Sequence, residues 1–117
     1  MRDDIEIDSE RIESDIQECL DRTGRSLGLL ERMARAASGP HGKAIRGELG
    51  KLNRRRDRLR EAFRQITASP AEGRTETRVR LQIAVKDLEL AVLQARAKHD
   101  AGRAVRTMAD LFATHRW

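Results

Sequence analysis

The chain has 117 residues, 38% apolar and 37% charged, with two Phe, one Trp and no Tyr, so it is long enough for one ordinary core but lacks the aromatic anchors of a thick one. Its net charge of +5 suits an acidic partner without naming one. Cys19 is the only cysteine, which excludes an intramolecular disulfide, and no apolar run is long enough to span a membrane.

The N-terminal MRDDIEIDSERIESD is acidic and has no apolar stretch of the kind that secretory or transit peptides carry, so a cytoplasmic setting is expected. Charge is unevenly spread. Residues 1–21 hold two cations and nine carboxylates, whereas residues 41–68 hold nine cations and three carboxylates. Two prolines, Pro40 and Pro70, separate three stretches dense in Arg, Glu, Leu and Ala, the composition of long helices.

A first helix is predicted over about 9–37, capped by Asp8 with Ile7 and Ile12 placed as a hydrophobic staple. Its apolar positions Ile12, Ile16, Cys19 or Leu20, Thr23, Leu27, Leu30, Met33 or Ala34 and Ala37 advance by threes and fours. The run SGPHG is predicted to end it, Gly39 as a left-handed stop and Pro40 as a residue that cannot extend the ladder. The same loop, GPHGKA, resembles a phosphate-binding loop only superficially, because Ala37 and Ala44 stand where Gly and Ser or Thr are required.

A second helix is predicted over about 43–68. Ile45, Leu49, Leu52, Arg56, Leu59, Phe63 and Ile66 form a heptad stripe with one charged member, Arg56, expected to snorkel to the rim. The third helix, about 70–99, is announced by Ser69, Pro70 and Glu72 in a capping arrangement, which Gly73 weakens so that the start can slip toward Thr75. Its stripe is Leu81, Val85, Leu88, Val92 and Ala95, with Leu90 and Leu93 expected to broaden it. RVRLQIAV at 78–85 also alternates with period two, so a strand pairing with DIEID at 4–8 is the rival there.

These elements predict an all-α fold: one domain over 1–117, an elongated antiparallel three-helix bundle of coiled-coil type. Doubling back near residue 40 sets residue i beside 81 minus i, which predicts Arg60 beside Asp21 and Arg64 beside Glu18, with Arg74, Arg78 and Arg80 facing the acidic start. Gly47 and Gly50 are expected to permit close helix packing. Residues past about 99 then overhang the bundle, either continuing the third helix or turning at Asp100 to Gly102 into a short fourth helix over 103–113 that folds back across the bundle's end.

Two candidate surfaces follow. The overhang carries Val105, Met108, Leu111 and Phe112, with Trp117, an apolar face expected to dock on a protein partner, a second copy of the chain included. Lys51, Arg54, Arg55 and Arg58 share one flank of the second helix, joined at the same level by Arg22 and Arg25, and form an anion or nucleic-acid patch. No aromatic is interleaved for base stacking, so nucleic acid would be held by its backbone. No catalytic residues, cofactor, metal or small-molecule substrate are expected. His41, His99 and Asp100 could converge in the bundle, a weak candidate metal group. Arg2, Ile5 and Glu6 loosely resemble the opening motif of the small helical chorismate mutases, but that family's later Arg and Gln positions have no counterpart, so no enzyme is expected. The reading is a non-catalytic interaction or scaffold protein, with backbone-directed nucleic-acid binding as the alternative.

Overall fold

A computed structural model describes the backbone of residues 2–68 and 75–114 and the side chains of residues 9–68 and 75–101. It is an all-α bundle of three helices: α1 (Arg2–Ala36), α2 (Gly39–Thr67) and α3 (Thr75–Thr114). Helices α1 and α2 are antiparallel, and contacts such as Cys19 with Val85 and Ser26 with Arg96 show α1 and α3 running in the same direction. The molecule is a rod of 75 × 21 × 16 Å.

The apolar stripes meet in the interior as two clusters. Nearer the α1–α2 connection, Leu27, Leu30, Ala34, Ile45, Leu52, Leu88, Val92 and Ala95 pack together. Toward the other end the core is Ile16, Cys19, Leu20, Ile66, Leu81 and Val85, with Leu59 touching both groups. Each helix contributes one side chain per turn to this seam, which is what steps of three and four residues produce at 3.6 residues per turn.

The helix ends differ from the sequence expectation. Helix α1 is already running at Arg2, so Asp8 is not its cap. Only Ala37 and Ser38 lie between α1 and α2. Gly39 supplies the positive φ (66°) that a turn this short requires, and Pro40 sits in the first turn of α2, where its missing N–H costs nothing. The proline expected to stop the first helix therefore starts the second. Gly42 is buried here, and a Cβ on it would stand 2.6 Å from the Ala37 carbonyl oxygen.

Gly47 has open space around it and Gly50 meets only the Arg54 guanidinium, so neither permits the close approach expected of them. Helix α3 begins at Thr75; the Ser69, Pro70 and Glu72 capping signals and Arg74 lie outside the described residues. Residues 78–85 are helical, not a strand. Helix α3 continues through Gly102 to Thr114 without the break that a fourth helix needs.

Candidate interaction surfaces

Ion pairs across the bundle join α1 to α3. Arg78 Nε donates to Glu13 Oε1 at 2.8 Å with only 3% of its side chain exposed. Asp15 Oδ2 accepts from Gln82 Nε2 at 2.6 Å and pairs with Lys86 at 3.2 Å, and those donors hold its carboxyl below the usual range. Arg22 Nε donates to Glu89 Oε2 at 3.0 Å, and that hydrogen bond raises the guanidinium's pKa. The acidic first half of α1 is thus answered chiefly by α3.

The pairs expected between α1 and α2 do not form. Asp21 accepts from Gln17 and Arg64 binds Glu61, each within its own helix, and Arg80 likewise holds Glu76. Partners three or four residues away are already in reach, so a short-range pair displaces the cross-helix one. What α2 offers α1 instead is arginine to backbone carbonyl: Arg46 Nη1 to Ala34 O at 3.4 Å and Arg56 Nε to Leu20 O at 3.3 Å.

Arg56 does not simply snorkel. Its guanidinium lies against Gly24, where an added Cβ would come within 2.6 Å of Nη2. Burial lowers its pKa, with Arg60 adding to the effect. Gly24 is therefore the socket for Arg56, near the junction of the two core clusters. A sequence signal existed: 24 and 56 sum to 80, close to the expected hairpin register.

Of the predicted basic patch, Lys51, Arg54, Arg55 and Arg58 remain together on α2, and none has an ion-pair partner among the described residues. Arg22 does not join them, because it turns to Glu89 on α3. Arg25 is exposed on α1 with no ion pair among the described residues.

At the α1–α2 turn, His41 and His99 approach as predicted, with ring centroids 5.6 Å apart and edge to face. The carboxylate beside them is Glu48 on α2, 2.7 Å from His99 Nε2, in place of Asp100. Among the described residues no three His, Cys, Asp or Glu side chains converge as a metal site. Cys19 is buried between α1 and α3, and burial pushes its thiol up to about 11, opposite to an activated nucleophile.

The surface that the sequence reading missed is the outer face of α3. Ile83 (56% exposed), Leu90 (55%), Leu93 (46%) and Val79 (37%) lie opposite the core stripe. Leu90 and Leu93 therefore do not broaden the buried seam. The period-two alternation at 78–85 was the available signal. In a helix, residues two apart are separated by about 200°, so Leu81 and Val85 point inward while Val79 and Ile83 point out. The side chains of Val105, Met108, Leu111, Phe112 and Trp117 lie outside the described residues.

The molecule is, by class, an all-α three-helix bundle with one helix longer than the pair it packs on, and no helix among the described residues is long and apolar enough to cross a membrane. Set against protein-family models, curated proteins and solved structures, the chain gives no significant match.

Proposed function

We propose that this is a non-catalytic interaction protein, working in the cytoplasm, which docks on a protein partner through the outer face of α3. The observation that carries the reading is the row Val79, Ile83, Leu90 and Leu93, apolar and exposed on the side of α3 away from its own core. Scattered exposed leucines are ordinary, but a row on one helix face costs solubility unless something covers it. In the sequence the helical spacing runs on to Met108, Leu111 and Phe112, so the expected C-terminal docking face extends the same row.

The test compares the wild-type protein with Ile83→Asp/Leu90→Asp. Both are measured for mass in solution and for proteins retained from an extract of the native cell. The reading predicts loss of self-association, of a retained partner, or of both. A double variant that matches the wild type in both measurements refutes it. Because both residues are exposed, helicity by circular dichroism should be unchanged.

A second reading, backbone-directed nucleic-acid binding, is supported by Lys51, Arg54, Arg55 and Arg58, four cations on one flank with no ion-pair partner among the described residues. It predicts micromolar binding of labelled duplex that falls steeply as salt is raised and is lost in Arg54→Glu/Arg55→Glu/Arg58→Glu. Absence of binding at low salt removes it.

A further inference from the structure

Resting on the docking role given to the outer face of α3, we propose that its occupant is a second copy of the same chain, paired antiparallel along α3 about a two-fold axis at Leu93. Two unpaired carboxylates give the argument its direction. Asp87 and Asp100 are both exposed on α3, and neither has an ion-pair partner among the described residues. Lys86 and Lys98 are also largely exposed on α3; Lys86 meets Asp15 at 3.2 Å, and Lys98 meets Glu48 only at 3.9 Å.

Taking the line through Ile83 and Leu90 as the centre of the face, a turn of about 100° per residue puts Asp87 and Lys98 on one flank and Lys86 and Asp100 on the other. A two-fold axis between antiparallel helices brings each flank against the same flank of its mate, so opposite charges must share a flank to pair. They do so on both flanks, and at one register. Residue numbers that sum to about 186 place Asp87 beside the mate's Lys98 and Lys86 beside the mate's Asp100. Each pairing occurs twice. An alternative antiparallel register, with Ile83 opposite the mate's Leu90, sets Asp87 against Asp87 and Lys86 against Lys86, and the like charges disfavour it.

The apolar residues agree with the register chosen by the charges. Leu93 meets its own copy on the axis. Leu90 comes level with the mate's Ala97, a small residue that lets two helices approach closely. The overhang is accounted for as well. His99 packs beside His41 at the α1–α2 turn, and the α1–α3 register set by Cys19 with Val85 and Ser26 with Arg96 brings the end of α1 at Ala36 level with about residue 104, so α3 past that point extends beyond both neighbours, yet it continues as helix to Thr114. In the proposed pair each overhang runs beside the stretch of the mate that exposes Val79 and Ile83. One arrangement therefore covers the exposed row of one copy with the projecting end of the other, over about 40 Å of helix.

The test uses the full chain in a Cys19→Ser background. Sedimentation should show a dimer for the parent. Asp87→Lys alone and Lys98→Glu alone should each weaken it about tenfold or more, and the double reversal Asp87→Lys/Lys98→Glu should restore it. An equimolar mixture of Leu90→Cys and Ala97→Cys chains should cross-link between unlike chains on mild oxidation, while Leu90→Cys alone should not. A dimer in which Leu90→Cys cross-links to itself, or whose charge reversals do not compensate, overturns the pairing. A monomeric parent also overturns it. In that case, retention of a different protein that depends on Ile83 and Leu90 would leave the general docking role standing, and its absence would remove both.

Discussion

The two seams that α1 shares with its neighbours are built from different interactions. Toward α3 it presents carboxylates and one arginine that find charged or amide partners across the gap: Glu13 with Arg78, Asp15 with Gln82 and Lys86, Arg22 with Glu89. Toward α2 it presents backbone, and the arginines that reach it, Arg46 and Arg56, bind carbonyl oxygens. Connectivity explains the contrast. The α1–α2 register is fixed by a two-residue link and the positive φ of Gly39 that follows it, which leave few alternatives, whereas α1 and α3 are joined only through the whole of α2. Where the chain does not impose alignment, side-chain pairing can, because a slip by one turn leaves Arg78 without Glu13.

The first way to test that contrast is to remove a core residue from α3, and Leu88→Ala should be the most damaging change considered. Leu88 is fully buried, and the truncation should cost about 3 kcal/mol in urea unfolding. Next should come Glu13→Ala, which strands the Arg78 guanidinium in the interior. Losing one partner of a fully buried pair costs about 3 to 5 kcal/mol, and solvent reaching Glu13 should reduce this to about 2. Arg78→Met, which removes the charge together with its need for a partner, should be tolerated far better than Glu13→Ala; the reverse order would mean that the pair is not what aligns the seam.

Cys19 gives the α1–α3 seam a pH signature. Its thiol is raised from 9.0 to about 11 mainly by burial, so the unfolded chain loses this proton first as pH rises. The contribution is complete below pH 9 and is lost between pH 9 and about 11. Unfolding free energies measured over that window should fall more steeply for the wild type than for Cys19→Ala.

The α1–α2 seam is probed by its glycines. Gly28→Ala meets nothing within 4 Å and should stabilise the protein by about 1 kcal/mol through helix propensity. Gly24→Ala has the same intrinsic gain but pushes Arg56 from the Leu20 carbonyl, losing a hydrogen bond worth about 1 kcal/mol, so it should be near neutral. In an Arg56→Ala background the two substitutions should become equivalent. Equal gains already in the wild type would show that Arg56 does not occupy the Gly24 socket. A small loss is expected from Arg22→Ala, whose exposed pair with Glu89 should matter less still as salt is added.

The core was legible in the sequence because helical periodicity is local: Ile16, Leu27, Ile45, Leu52, Leu81, Leu88 and Val92 are buried where steps of three and four put them. The basic flank Lys51, Arg54, Arg55 and Arg58 was legible for the same reason. Arg22 was not, since residues level along the rod can face different neighbours, and level alone does not say which. Leu90 and Leu93 were misplaced because an apolar residue beside a buried stripe looks the same whether it widens that stripe or starts a second one. The His41–His99 approach was legible from register, but Glu48 was not, because it reaches His99 from α2, two turns along from His41, whereas Asp100 is next to His99 only in sequence.

By itself, the sequence determined that this protein is helical, which residues of each helix form its inner face, and that the chain reverses near Pro40, since these depend on spacing along one strand of text and on the backbone limits of Gly and Pro. Tertiary structure alone decided which helix answers each charge, that Arg56 packs against Gly24 instead of reaching the rim, and that the apolar row of α3 is left uncovered by α1 and α2. Those outcomes depend on how three rods are rotated about their own axes, and the rotation is set by packing all of them at once, not by any segment read alone.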